Sequence, residues 1–328
     1  MELKMKKAII LLLLTISINY ALMAENMKKV YINQIVQHPA LDITVRGIID
    51  GLEQNGYVNS KNVEIRVESA QASAALASQI ATKFVNQGAD IVVGVGTVPA
   101  QSFLKYTKEN RARLVFSSVT DPIQAGIVQN LEKPTQNISG VSNFVDLEPQ
   151  LQLFQKIQPQ LKTLGILYNP GEANSLSIYK RLQKICQTMG IKLVAQSANK
   201  TGDIPQAAIK LASSVDAIFI SNDNTALAAL PSIIAITNKV KIPVYVSDTD
   251  AVELGALAAL GPNQYQVGLQ TGKMVARGLN GEALNTIPVE FANQTELYLN
   301  KDAAALLGIK LPEAIIAKAS KIIEKVKK

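Results

Sequence analysis

Residues 163–179 read TLGILYNPGEANSLSIY, and the way this stretch folds decides the architecture. TLGILY is a short apolar run of the length a buried strand needs. The residues that follow, YKRLQKICQTMG (179–190), repeat apolar side chains at helical spacing up to a closing glycine. Between strand and helix lie Asn169, Pro170, Gly171, Glu172, Ala173, Asn174 and Ser175. Pro and Gly are enough to turn the chain, and one side chain is enough to cap the helix. The surplus of amide, carboxylate and hydroxyl groups reads either as a generous turn or as one wall of a binding site.

The strand–helix unit recurs on both sides of this stretch. Upstream, VYINQIV (30–36), NVEIRVES (62–69), DIVVGVG (90–96) and RLVFSSV (113–119) read as strands, with amphipathic helices between them. Downstream, IKLVAQSA (191–198), AIFIS (217–221) and IPVYVSD (242–248) continue the pattern. Alternating β and α elements imply parallel sheets covered on both faces. The chain is therefore expected to be α/β, with two Rossmann-like doubly wound lobes. ISGVSNF (138–144) is expected to connect them. The pieces after residue 255 are too few for a third core. They must complete the two sheets already begun, which implies several crossings between lobes and a cleft with a hinge.

With 328 residues, 48% hydrophobic and 18% charged, the chain suits two globular domains. Aromatics make up only 5% and Trp is absent, so an aliphatic core is expected. The net charge is +7, but no basic stripe interleaved with aromatics points to nucleic acid. The lysines near the end, from Lys318 to Lys328, read as a solvated helix face. MELKMKK followed by AIILLLLTISI and Ala24 reads as a signal peptide, residues 1–24, cut near Ala24. The apolar run is short for a bilayer span. No cysteine lies at the cut to take a lipid, and the single Cys186 excludes an intramolecular disulfide. Cys186 reads as a buried, inert thiol on its helix. A periplasmic protein, monomeric, is the expectation.

In open parallel sheets, ligands bind beyond the carboxyl ends of the strands. Those ends carry His38; Thr97; Ser118 and Thr120; Asn169, Glu172, Asn174 and Ser175; Asp223 and Asn224; and Asp248. Each has a plainer reading as a cap or turn residue. Thr97, before Val98-Pro99, serves equally as an N-cap or as a carboxylate ligand. Asp121 before Pro122 reads as a cap. Asp223 and Asp248 each follow an apolar strand, and facing one cleft together they would make an ammonium site. His38, the only histidine, precedes Pro39 and so sits in extended or turn backbone. Alone it makes no zinc site, but it can stack on or hydrogen-bond a ligand. GVGTVPA has Pro99 where a dinucleotide fingerprint needs its third glycine. No Walker loop, nucleophile elbow or supported catalytic triad occurs. Neither enzyme activity nor a cofactor nor a metal is expected.

HPALD (38–42), FSSVTDP (116–122), ISGVS (138–142), YNPGEANS (168–175), DNT (223–225), SDTD (247–250) and YQVGLQTGKM (265–274) occur in an order that resembles ABC-transporter substrate-binding proteins of periplasmic-binding-protein type I. The tryptophan/tyrosine-binding branch is the most similar. The resemblance runs from about Lys28 to the C-terminus. It implies three crossovers, with lobes at 28–142 plus 258–288 and at 143–257 plus 289–328. It also implies an amino acid bound in the cleft by hinge closure, and ABC permease subunits as partners. The Thr97 and Ser118–Thr120 segments would hold the α-carboxylate, and the Asp223 and Asp248 segments the amine. Related sequences often carry an acidic residue before HPALD, where this chain has Gln37. The same fold used as a ligand-sensing module for a membrane receptor is the alternative.

Overall fold

A computed structural model describes residues 27–324. The expected signal peptide and the last lysines fall outside these residues. In the first sheet, β1 (Lys28–Gln34), β2 (Val63–Ser69), β3 (Ile91–Val95), β4 (Leu114–Ser117), β5 (Ile138–Ser142) and the short β11 (Glu290–Phe291) run parallel, in the order β11-β5-β4-β3-β1-β2. β3 is central and buried at every residue, with Val30 opposite Ile91 and Ile32 opposite Val93 on β1. Such continuous β-branched runs are what a sheet covered on both faces selects.

The second sheet joins β6 (Thr163–Tyr168), β7 (Lys192–Ser197), β8 (Ala217–Ile220), β9 (Val244–Val246), β10 (Ala258–Pro262), β12 (Thr295–Asn300) and β13 (Lys321–Ile323). Their order is β13-β12-β10-β9-β8-β6-β7, and β10 with β12 is the one antiparallel pair among the described strands. TLGILY is β6, and ANSLSIYKRLQKICQT forms the helix Ala173–Thr188 after it. Cys186 is buried on that helix, and burial pushes its thiol up to about 11.

Three of the expectations shift. ISGVS is not connector but strand β5, and the first crossing begins at Asn143. Ala258–Pro262 pairs with β9 and β12, so it belongs to the second sheet, whereas Glu290–Phe291 pairs with β5 in the first. The lobe boundaries therefore lie after Pro262 and after Ala292, not at 258 and 289. Lys321 sits on edge strand β13, beside β12, and not on a helix face. The core is mostly aliphatic, but the few aromatics are concentrated in it. Tyr31, Phe84, Phe103, Phe116, Phe154, Phe219 and Tyr245 are all fully buried. Phe154 stacks on Tyr245 at a centroid distance of 4.1 Å.

The second crossing carries the chain from β10 into the helix Gln264–Leu279, which packs on Pro39–Gln54 in the first lobe. Glycines at 47 and 51 face glycines at 268 and 272. A Cβ on Gly51 would lie 2.7 Å from Leu269 O, and one on Gly272 would lie 2.9 Å from Gly51 Cα. No side chain fits between these backbones, and this approach sets where Gln264 enters the cleft. Gly51→Val or Gly272→Val is expected to cost about 1–3 kcal/mol through overpacking. Gly202→Ala, where nothing lies within 4 Å, is expected to be near neutral. Urea denaturation of the three variants checks this.

Candidate functional site

The carboxyl ends of both sheets meet across a narrow cavity between the lobes. The first lobe lines it with His38, Ala40, Leu41, Gly96, Thr97, Ser118, Thr120 and Gln264. The first crossing adds Asn143. The second lobe adds Asn174, Asn222, Asn224, Leu227 and Asp248. Seven expected site residues thus share one cavity: His38, Thr97, Ser118, Thr120, Asn174, Asn224 and Asp248.

Local sequence explains how they reach it. His38 precedes Pro39 at the start of Pro39–Gln54 and holds extended backbone, φ −155°. Burial pushes its imidazole down to about 4, against the opposing pull of Asp42, so the ring is neutral at pH 7. Its Nε2 is buried and has no hydrogen-bond partner. Ser118 follows β4 in left-handed backbone, φ 53°, a strained conformation for a residue with a Cβ. Thr44 Oγ1, bonded to Gln264 Oε1 at 3.2 Å, lies 3.5 Å from Ser118 Oγ.

Asp248 caps the 3₁₀ turn Thr249–Leu254, accepting from Asp250 N at 3.3 Å. Burial, reinforced by the Asp250 carboxylate, pushes it up to about 8. Among the described residues no cation pairs with it. Asp223 is different. It does not line the cavity, and its own lobe satisfies it: Ala226 N donates to Oδ1 at 2.7 Å, and Asn169 N and Ser175 Oγ donate to Oδ2 at 2.6 and 2.5 Å. Burial, followed by the nearby Glu172, pushes Asp223 up to about 7. The expected pair of acids facing the cleft is therefore one acid, Asp248, with Asp223 as a helix cap.

Asn169, Glu172 and Ser175 likewise do not line this cavity; Asn169 and Glu172 line a neighbouring pocket between the lobes, with Ile35, Val98 and Asn224. Asn169 Oδ1 accepts from Gly171 N at 2.8 Å, closing the turn, and its Nδ2 donates to Thr225 Oγ1 at 2.9 Å. The helix Ala173–Thr188 has Glu172 at its N-cap with no side-chain cap bond. Neither Asn174 nor Ser175 caps it. Ser175 holds Asp223, and Asn174 reaches the cavity, where its buried Oδ1 has no partner. Asn143, Asn222, Leu227 and Gln264 were not among the expected site residues. Asn143 and Gln264 sit at crossings, and crossings border the cleft by construction, so a polar residue there was a usable signal. Gln37 is exposed and lines nothing.

The lobes also touch directly. Asp121 Oδ1 accepts from Gln124 N at 3.0 Å, as a turn cap should. Its Oδ2 accepts from Ser177 Oγ at 2.9 Å and Arg181 Nη2 at 2.6 Å, across the cleft. Burial would raise this carboxyl, but Gln124 N–H, Arg181 and Ser177 outweigh it and hold it below its ordinary value. Asn222 Nδ2 donates to Thr120 Oγ1 at 3.2 Å, a second bond between lobes. Among the described residues no cluster of His, Cys, Asp and Glu could hold a metal, and no helix is long and apolar enough to cross a membrane.

Asp223→Ala removes three bonds to a buried carboxylate and is expected to cost about 2–4 kcal/mol of ligand-free stability. Asp248→Ala removes one long cap bond and no ion pair, and is expected to cost about 1 kcal/mol or less. The native carboxyl of Asp248 is raised, so the folded form holds its proton more tightly than the unfolded chain. Its contribution to stability is full below about pH 4 and is lost as pH rises towards about 8. Asp248→Ala should therefore flatten part of the fall in stability over that window, as followed by denaturation at several pH values.

The family model for ABC transporter substrate binding proteins matches residues 29–323. The chain is 30% identical over 286 residues to a tyrosine-binding protein of Clostridioides difficile strain R20291, covering 87% of this chain and 82% of that one. It superposes on an ABC domain in complex with L-Trp from Streptococcus pneumonia with TM-score 0.85 at 30% identity, covering 90% of this chain and 100% of that one. Against the ligand-free, open structure of a Clostridium difficile substrate binding protein with adhesive properties, the TM-score is 0.68 at 32% identity, covering 91% and 100%. Near-equal identity with unequal superposition shows that the lobes here are arranged more like the L-Trp complex than like the open form. The two lobes and their crossings have the periplasmic-binding-protein type I fold. The chain belongs to the ABC transporter substrate binding protein family.

Proposed function

We propose that this protein binds the zwitterion of an aromatic amino acid, tryptophan or tyrosine, between its lobes and delivers it to the permease of an ABC importer. The observation that carries the reading is the polarity of the two walls. Asp248 is a buried acid with no cation beside it among the described residues, on a second-lobe wall rich in amides. The first-lobe wall opposite holds the hydroxyls of Thr97, Ser118 and Thr120 and no acid. An ammonium belongs at the first of these walls and a carboxylate at the second. Ala40, Leu41 and Leu227 supply apolar surface for a side chain. The unpartnered His38 Nε2 can accept from an indole N–H or a phenol O–H. The aromatic assignment draws on the tyrosine-binding relative and the L-Trp complex.

Closure follows from the same chemistry. Only the closed form makes both sets of ligand contacts, so ligand shifts the population towards it. No bond is made or broken in this cycle. The protein acts outside the cytoplasmic membrane, exported by cleavage near Ala24, and binds as a monomer.

Calorimetry and thermal shift on residues 25–328 with all common amino acids test the ligand class. Tryptophan or tyrosine should bind and raise the melting temperature; no shift with any amino acid would overturn the proposal. Asp248→Asn should weaken binding about 10–100-fold through loss of a charge-assisted bond. Affinity should rise between about pH 5 and pH 7.5, because the ammonium pairs with the ionised form of Asp248. An affinity flat over this range would assign the ammonium elsewhere.

A further inference from the structure

We propose that Glu172, which does not line the cavity, is a positioning residue that fixes the amides of Asn174 and Asn224 oxygen-first towards the ligand and so makes the second-lobe wall selective for an ammonium group. This rests on the amino-acid reading of the cavity and deepens it.

Glu172 is 7% exposed and sits where two helices start, Ala173–Thr188 and Asn224–Ala228. Its Oε2 accepts from Asn174 Nδ2 at 3.1 Å, Asn224 Nδ2 at 2.7 Å and Asn224 N at 3.1 Å. Its Oε1 accepts from Thr225 Oγ1 at 2.7 Å, Thr225 N at 3.1 Å and Asn169 Nδ2 at 3.5 Å. A carboxylate only accepts, whereas an amide offers one accepting and one donating end. Both asparagines must therefore turn their NH₂ groups to Glu172, and Asn174 donates a second time to Asn222 O at 2.6 Å. Their oxygens are left to the other side. Asn174 Oδ1 is buried there without a partner, on the same wall as Asp248.

Asn174 then presents an acceptor and no donor to the ligand side, beside the acid Asp248. An ammonium has three donors and no acceptor, and it matches. An amide free to flip would present NH₂ to the ligand half of the time and weaken the discrimination. Glu172 removes that freedom from outside the cavity, where it lines the neighbouring pocket that shares Asn224.

The test compares L-tryptophan and L-tyrosine with indole-3-propionate and 3-(4-hydroxyphenyl)propionate, which lack the amine. Calorimetry on the full mature chain gives the affinity ratio of each pair. In wild type the amino acids should bind far more tightly. In Glu172→Ala the ratio should fall about tenfold or more. Equal weakening of both members of a pair in Glu172→Ala, with the ratio unchanged, would show that Glu172 only supports the fold and would overturn the proposal. If Glu172→Ala does not fold, Asn174→Leu tests the same acceptor with Glu172 in place; an unchanged ratio there overturns the proposal equally. A wild type that binds neither amino acid, or prefers neither over its amine-free counterpart, would overturn the amino-acid reading itself. That result is read before any variant is made.

Discussion

A carboxylate buried without a cation is the constraint from which the rest of this structure follows. Asp248 lies at the closed seam between lobes, and burial raises its carboxyl to about 8. Taking such a group out of water costs several kcal/mol unless it is paired or protonated. At neutral pH the ligand-free group therefore holds a proton, and an arriving ammonium displaces it by pairing with the ionised form. The two direct bridges between lobes, Asp121 with Arg181 and Ser177, and Thr120 with Asn222, favour closure. Neither bridge carries a cation to Asp248. Ligand binding and hinge closure are coupled because only the closed form brings both walls onto the ligand.

Holding that charge in place takes a rigid support behind each wall. In the second lobe, Asp223, Ser175, Asn169 and Glu172 tie β6, the turn after it and two helix starts into one buried hydrogen-bonded block. Networks of this kind are stable only when nearly every member is satisfied. Here the unpartnered atom, Asn174 Oδ1, lies on the ligand side. In the first lobe the support is steric. Paired glycines bring two helices into backbone contact and thereby place Gln264, while strained backbone at Ser118 turns its residue onto the wall.

Much of this was legible in the sequence, for physical reasons. Strand ends rich in hydroxyls, amides and acids marked the cleft, because parallel sheets put their carboxyl ends on one side. The sequence could not sort wall from support. Asn174 and Ser175 are adjacent, yet one faces the cavity and the other faces Asp223, since helical neighbours point 100° apart and the start of the helix was undetermined. Asp223 and Asp248 look alike as acids after apolar strands. Only the turn at Asn169–Ser175, packed against Asp223, makes the first a satisfied cap. The lobe boundaries failed at β10 and β11 because strands of five and two residues carry little periodicity, and their sheet is chosen by pairing across the crossings. The facing glycine pairs emerge only from the fold, because the backbone a glycine meets is set by tertiary packing.

The most direct measurement is a crystal structure of the mature protein with the amino acid retained through purification or added at saturation. The expected result is a closed form with the ligand's amino nitrogen about 3 Å from Asp248 and from the Asn174 oxygen, and its carboxylate on the Thr97, Ser118 and Thr120 hydroxyls. A ligand bound with its amine on the first-lobe wall, or outside the interlobe cavity, would contradict the account.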